Sequence, residues 1–264
     1  MSVAIAAGVG VLVGVVVGTL GAGGGILSLP ILVYALGQDP HAAATASLVI
    51  VGATSLVSLV PHARRGNVQW RRGLVFGLLG VVGALGGARL AALVDADLLM
   101  ALLAGLLLVV SAVMLRRSLA DRRRPDDDGG TSAAPRGRVV TAVFTVVVAS
   151  FVGLLTGFFG VGGGFIVVPA LLLVMRVDMR LAVGTSLLVI VVNAVLGLVG
   201  RVGQDLAVDW PVVVAFAVTS MLGGLVAGRL SSRARPRTLS LLFALLLLAV
   251  AVVTGVQAVP ALLG

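Results

Sequence analysis

Residues 18–30 read GTLGAGGGILSLP, with four glycines in the five positions from Gly21 to Gly25, inside a run of valine, leucine and alanine. Glycine within a helix costs about 0.5–1 kcal/mol relative to alanine, because it loses more conformational freedom on folding. Such a cluster marks a place where backbones approach closely or where the helix stops. The stretch has a twin. Gly14, Gly18, Gly21, Gly23, Gly24, Gly25 and Pro30 match Gly153, Gly157, Gly160, Gly162, Gly163, Gly164 and Pro169 at a constant offset of 139 residues. The offset persists for Asp39 with Asp178, Ser47 with Ser186 and Leu48 with Leu187. After one extra residue it becomes 140, for Gly83 with Gly223, Arg89 with Arg229 and Leu90 with Leu230. The chain is therefore a duplication, with a first repeat at 1–115, a second at 139–264 and a charged segment, 116–138, between them.

The residues around the glycines identify the solvent. Of 264 residues, 59% are hydrophobic and 11% charged, with a mean hydropathy of +1.20, unlike any water-soluble domain of this size. Apolar segments lie at about 3–36, 42–61, 73–94, 98–115, 139–175, 181–200, 211–230 and 239–262, and a hydrocarbon core of roughly 30 Å needs about 20 apolar residues per crossing. The expectation is an all-α polytopic protein in the lipid bilayer of the cell membrane. Asp39-Pro40, Asp97, Asp178 and Asp209-Trp210-Pro211 supply helix N-caps, and Trp70 and Trp210 fall where interfacial aromatic rings belong. The first twenty residues have no basic n-region, so a cleaved signal peptide is not expected. All 19 basic residues are arginine and all 10 acidic ones aspartate, and nearly all sit at segment edges or in 116–138. The net charge of +9 is a topology signal, and no soluble face remains to bind nucleic acid. With no cysteine, disulfides and thiolate metal sites are excluded. The segment RRSLADRRRPDDDGGTSAAPRGR, residues 116–138, reads as a flexible linker, with a regulatory or headgroup-binding loop as the alternative.

Arginine counts decide the relation between the repeats. Residues 3–36 would extend about 51 Å as one straight helix, too long for one ordinary crossing. If each glycine-rich segment breaks and returns, as paired half-helices or as a re-entrant hairpin, 17 arginines fall on one side of the membrane and only Arg89 and Arg201 on the other. If each crosses once, the division is 12 against 7. The positive-inside rule selects the first arrangement. Each half then has odd parity, the repeats are inverted, both termini lie outside and the 116–138 linker lies inside.

Three readings of the glycines compete. A phosphate loop fails, because Ile26 occupies the last glycine position of a GxGxxG starting at Gly21, no strand precedes it, and the chain has no lysine. Close helix packing suits Gly14-xxx-Gly18 and Gly153-xxx-Gly157. For the triplets Gly23–Gly25 and Gly162–Gly164, with Pro30 and Pro169 five residues on, a broken helix at the repeat interface fits best, its freed N–H groups turned to the membrane midplane. Such a break is tolerable only where it is buried in protein or lines a watery cavity, and exposed N–H groups favour an anion. No acidic residue lies deep in an apolar segment, which argues against a metal-cation transporter. In the helices after the breaks the polar side chains are Thr45, Ser47, Thr54, Ser55 and Ser58, then Thr185, Ser186 and Asn193. Their hydroxyls either donate to a bound oxyanion or bond back to the preceding turn, and Asn193 is either interhelical glue or a ligand contact. His41 and His62 fall at segment ends and read as interfacial. Arg89 and Arg229 read as membrane-edge anchors.

The paired Gly-xxx-Gly-xx-Gly-x-Gly-Gly-Gly-xxxx-Pro signatures, with a Thr-Ser-Leu type motif on the following helix, resemble the TauE/SafE sulfite exporter family of membrane permeases. The resemblance covers both halves. It implies transport of small sulfur-containing anions such as sulfite, thiosulfate or sulfonates, with no cofactor, no metal and no catalytic chemistry. It marks Gly21, Gly23, Gly24, Gly25, Pro30 and Ser47, with Gly160, Gly162, Gly163, Gly164, Pro169, Thr185 and Ser186, as the functional positions. The first half has Ala46 where the second has Thr185, which implies a weaker anion contact there. The expected mechanism is alternating access between the halves, with Asn193 added to the substrate-binding set. Either H⁺ or Na⁺ is admitted as coupling ion, and a homo-oligomer is admitted. A membrane subunit of an enzyme or assembly complex, using the central cavity to present a bound group, is the competing reading, and no His, Cys or carboxylate constellation within the spans supports it.

Overall fold

The computed structural model describes residues 2–21, 24–91, 93–120, 138–159, 163–175, 177–199, 201, 208–231 and 236–263. They form α1 (Ser2–Leu20), α2 (Gly25–Pro30), α3 (Pro40–Arg64), α4 (Trp70–Ala91), α5 (Ala96–Ala120), α6 (Arg138–Phe159), α7 (Gly164–Pro169), α8 (Met179–Val199), α9 (Trp210–Ser231) and α10 (Pro236–Leu263), with no strand among the described residues. Six of them, α3, α4, α5, α8, α9 and α10, are long and apolar enough to cross a membrane unaided. Aspartates start several. The Asp39 carboxylate accepts the Ala42 N–H at 3.2 Å and that of Asp209 the Val212 N–H at 3.4 Å. At α5 the expected cap is corrected: the Asp95 carbonyl accepts the first helical bond, from Leu99 at 2.9 Å, and Asp97 lies inside the helix.

The first break is a glycine event. Gly21 takes φ +61°, which ends α1, and helix resumes at Gly25 with Gly24 as its N-cap. Proline does not break the chain, against expectation. Pro30 and Pro169 have no N–H to give and crowd the carbonyl four residues back, so the helix widens and continues. Ile31–Ala35 and Ala170–Val174 are π-helical, and the Leu36 N–H reaches the Ile31 carbonyl at 3.1 Å while that of Met175 reaches Ala170 at 3.3 Å. Both short helices therefore run about eleven residues rather than six.

Small residues govern the packing, because lipid removes the hydrophobic drive between helices and leaves close backbone approach as the main source of attraction. On α1, Gly10, Gly14 and Gly18 face Phe216, Ser220 and Gly224 of α9, and a Cβ on Gly14 would strike the Ser220 carbonyl. On α6, Gly153 and Gly157 face Gly80 and Ala84 of α4, again with a carbonyl where a Cβ would be. In both seams the residue numbers rise together, so the paired helices run in the same direction. The first helix of each half packs along the fourth helix of the other half. Similarly α3 runs with α9, Thr54 meeting Ser220 and Ser58 meeting Gly224, and α4 runs with α8, Gly73 meeting Leu188 and Gly77 meeting Val192. At the centre α3 and α8 run in opposite directions, with Gly52 against Ala194 and Gly197 against Leu48. Phe76, Phe165, Phe216 and Phe243 fill the interior. Large apolar side chains such as Leu12, Val82, Phe151 and Leu222 face outward, as a lipid-exposed surface requires.

Contacts between loops group the helix ends. Arg65 donates to the Arg229 carbonyl at 3.1 Å, and the Gln69 N–H reaches the Thr185 hydroxyl at 3.1 Å, which puts the α3–α4 turn, the start of α8 and the end of α9 together. At the opposite end Arg201 donates to the Thr45 hydroxyl at 2.7 Å.

Candidate functional site

The break after α1 is enclosed by the opposite half. Ser186 of α8 donates to the Gly21 carbonyl at 2.9 Å and shares its proton with the Val183 carbonyl at 2.8 Å, so it bonds back to its own preceding turn and also to the break. A Cβ on Gly21 would lie 2.7 Å from the Ser186 oxygen and 2.8 Å from the Val183 carbonyl. Only glycine fits there, on grounds of both space and φ. Gly24 returns the chain against α1 and the middle of α3, where its Cβ would meet Val17 at 2.9 Å, Val13 at 3.0 Å and Val51 at 3.5 Å. Its carbonyl accepts from Leu27 and Ser28 at 3.0 and 2.6 Å, which leaves the N–H groups of Gly25 and Ile26 ahead of the first intrahelical bond.

In the second half Gly163 takes φ +74°, unlike its equivalent Gly24 at −57°, and sits on Thr156 of α6. The Gly163 carbonyl accepts from Ile166 and Val167 at 3.0 and 2.9 Å. Gly25 and Gly164 are buried. Gly23, Gly160 and Gly162 lie outside the described residues, as does the side chain of His41.

The polar residues after the breaks do not converge. From the Gly52–Ala194 crossing, Ser47 lies five residues along α3 towards one end and Ser186 eight residues along α8 towards the other. At 1.5 Å per residue they are about 20 Å apart along the bundle, so one small anion cannot touch both. Thr185 is engaged by the Gln69 N–H at 3.1 Å. Asn193, beside Ala194, sits at the central crossing and is 9% exposed. Ser47 is fully buried, and its hydroxyl has no hydrogen-bond partner. At mid-depth Gly24 meets Val51 and Gly52 meets Ala194, next to Asn193, while Ser47 and Ser186 stand at two separate depths.

Three features escaped the sequence reading. His62 is 1% exposed rather than interfacial, its Nε2 at 3.2 Å from the Gly18 carbonyl. Ser28 of α2 is fully buried with an unpartnered hydroxyl, as are Ser55 and Ser58 of α3, which the sequence named without their alignment. Their spacing with Ser47 and His62 along one face of α3 was the available signal. Arg201 is equivalent to His62 in the duplication, and burial pushes its guanidinium below its ordinary pKa. A cavity of 280 Å³ between α6 and α7, lined by Val147, Phe151, Ile166 and Pro169 among others, is apolar and touches none of the polar candidates.

Known proteins align with this chain over the same span. The family model for the sulfite exporter TauE/SafE matches residues 6–254. A probable membrane transporter protein of Xylella fastidiosa (strain 9a5c) is 35% identical over 259 residues, 95% of this chain and 94% of its own length. The probable membrane transporter protein YdhB of Bacillus subtilis is 30% identical over 221 residues, covering 84% of this chain and 87% of that protein, and YunE of the same organism is 25% identical over 261. No solved structure matches. An all-helical bundle among the described residues with six helices able to span a membrane, a glycine break at Gly21 met by the opposite half, and alignment over nearly the whole chain lead to one conclusion: the protein is a multi-pass membrane transporter, not an enzyme, and belongs to the TauE/SafE sulfite exporter family.

Proposed function

We propose that the protein is a secondary transporter that carries a small sulfur-containing oxyanion, such as sulfite, thiosulfate or a sulfonate, across the cell membrane by alternating access between inverted repeats. One observation carries this: the Gly21 break, irregular backbone at membrane depth, is covered by Ser186 of the other half at 2.9 Å. Such backbone is stable in lipid only when protein encloses it or it lines a watery cavity, so a shift of one half against the other changes what covers it. The helix directions support inversion, since α1 runs with α9, α6 runs with α4, and α3 opposes α8. In this arrangement the turn holding Arg64, Arg65, Arg71 and Arg72, the start of α8 and the end of α9 face the cytoplasm with the 116–138 linker, while both termini lie outside.

The anion occupies mid-depth, against the amides that open α2 and α7 and the Asn193 side chain, with Gly21, Gly23, Gly24 and Gly25 and with Gly160, Gly162, Gly163 and Gly164 forming the two breaks. Ser47 and Ser186, about 20 Å apart along the bundle axis, then serve opposite gates rather than one ligand sphere. Purified protein in liposomes should take up labelled sulfite, thiosulfate or a sulfonate. Gly24→Leu and Gly163→Leu should each abolish uptake while the protein still inserts; uptake that survives both substitutions refutes the site.

A further inference from the structure

We propose that His62 is the proton-coupling residue of this transporter, binding H⁺ at its Nδ1 at the end of a buried hydroxyl stripe on α3. The inference rests on the anion-transport reading above and adds the coupling ion. A carbonyl only accepts, so the 3.2 Å contact to Gly18 assigns the imidazole hydrogen to Nε2, which donates it. Nδ1 then carries the lone pair. It is buried and has no hydrogen-bond partner. Among the described residues His62 is the buried side chain within the spans that titrates.

The stripe gives the proton a route. Ser47, Val51, Ser55, Ser58 and His62 follow one another at intervals of four, four, three and four residues on α3, which places them on one face. The three serine hydroxyls are fully buried and unpartnered. Each such group costs about 1–3 kcal/mol unless water or a ligand reaches it, and the three, spread over about 16 Å with His62 about 6 Å beyond the last, mark a line that water molecules would complete. Gly24 lies against Val51, so the line passes the first break. The equivalent positions on α8 bear Ser186, Ala194 and Gly197, and the second half has no such stripe.

Arg64 and Arg65 follow His62 in sequence, Arg229 ends α9 beside Arg65, and the start of α8 carries Arg180 together with Asp178, which is exposed; α1 brings no charge and α2 none. No carboxylate holds the imidazolium, so an incoming anion is its natural counter-charge. Protonated His62 balances the charge of the anion held at mid-depth without touching it, and the proton leaves at the arginine-rich end as the anion does, so anion and proton cross together.

The test uses the full chain in liposomes, with labelled sulfite as probe. Wild type should accumulate sulfite when a pH gradient is imposed, by up to about tenfold per pH unit if one proton accompanies each anion. His62→Gln retains an N–H for the Gly18 carbonyl but cannot titrate. It should lose the gradient-driven accumulation and keep sulfite counterflow at equal pH within about twofold of wild type. His41→Gln should behave as wild type. Gradient-driven accumulation that survives in His62→Gln overturns the proposal. If wild type shows no sulfite counterflow, the sulfite reading fails, and a second measurement decides His62. The chain has 2 histidines, so nitrogen-15 histidine spectra in lipid nanodiscs contain one imidazole pair that vanishes in His62→Gln. That pair should change to the protonated form when the sample is acidified in the presence of sulfite; a signal that stays neutral throughout overturns the proposal.

Discussion

Alanine in place of Gly21 separates backbone strain from crowding, because the protein contains its own controls. Gly21 has φ +61°, and a Cβ there would lie 2.7 Å from the Ser186 hydroxyl, 2.8 Å from the Val183 carbonyl and 3.0 Å from the Val183 Cα. The left-handed backbone costs an L-residue about 1–2 kcal/mol, and crowding a closely packed site costs about 1–3 kcal/mol more. Gly37 has φ +63° with nothing within 4 Å, so Gly37→Ala should show the backbone cost alone. Gly86 is helical and open on all sides, and Gly86→Ala should stabilise by about 0.5–1 kcal/mol. At roughly 2–4 °C per kcal/mol for chains of this size, Gly21→Ala should melt about 2–12 °C below Gly37→Ala, with Gly86→Ala at or above wild type. The readout is the fraction of monodisperse protein after heating in detergent. Adding Ser186→Ala to Gly21→Ala removes the nearest obstruction and should restore part of the loss. Equal melting of Gly21→Ala and Gly37→Ala, or strictly additive behaviour of the double variant, would refute the packing argument.

Thr54→Val and Ser220→Ala should couple in a double-mutant cycle by about 0.6–1.7 kcal/mol, the range for hydrogen bonds between membrane helices, measured by denaturation in mixed micelles. Arg201→Gln weakens a charge-assisted contact to Thr45 at 2.7 Å and should lower stability by about 1–3 kcal/mol, with Arg201→Lys intermediate in the same melting assay. Reporter fusions after Gly130 and Ser232 should both register cytoplasmic, and a periplasmic signal from either would reverse the proposed orientation.

The glycine arithmetic made the bundle legible in advance. Repeats at an offset of 139, arginines gathered at segment edges and apolar lengths near twenty residues are properties of the sequence itself, and the six spanning helices and the Gly21 break follow from them. What stayed illegible depended on which helix lies beside which. Ser47 and Ser186 are equivalent in sequence, yet opposed helix directions send them to different depths and one bonds Gly21 while the other bonds nothing. Pro30 and Pro169 read as part of the helix breaks at the glycine triplets, but a single widened turn removes the clash and the helix runs on through them. His62 read as interfacial from its place near the end of an apolar run; the last turn of α1, at Gly18, packs against it, a contact between residues 44 positions apart.

The seam between α1 and α9 also has a consequence for biosynthesis. Gly14 finds its partner in Ser220, roughly 200 residues downstream, which at about 5–20 residues per second of synthesis amounts to roughly 10–40 s. Throughout that interval the glycine face of α1 has no native neighbour and must wait in lipid or against the insertion machinery. The matching seam between α6 and α4 forms as soon as α6 enters, so the second half is received by a partner already in place. Maturation is thus asymmetric in time although the sequence is duplicated, and α1, made before its partner α9 by most of the chain, is among the last to be locked.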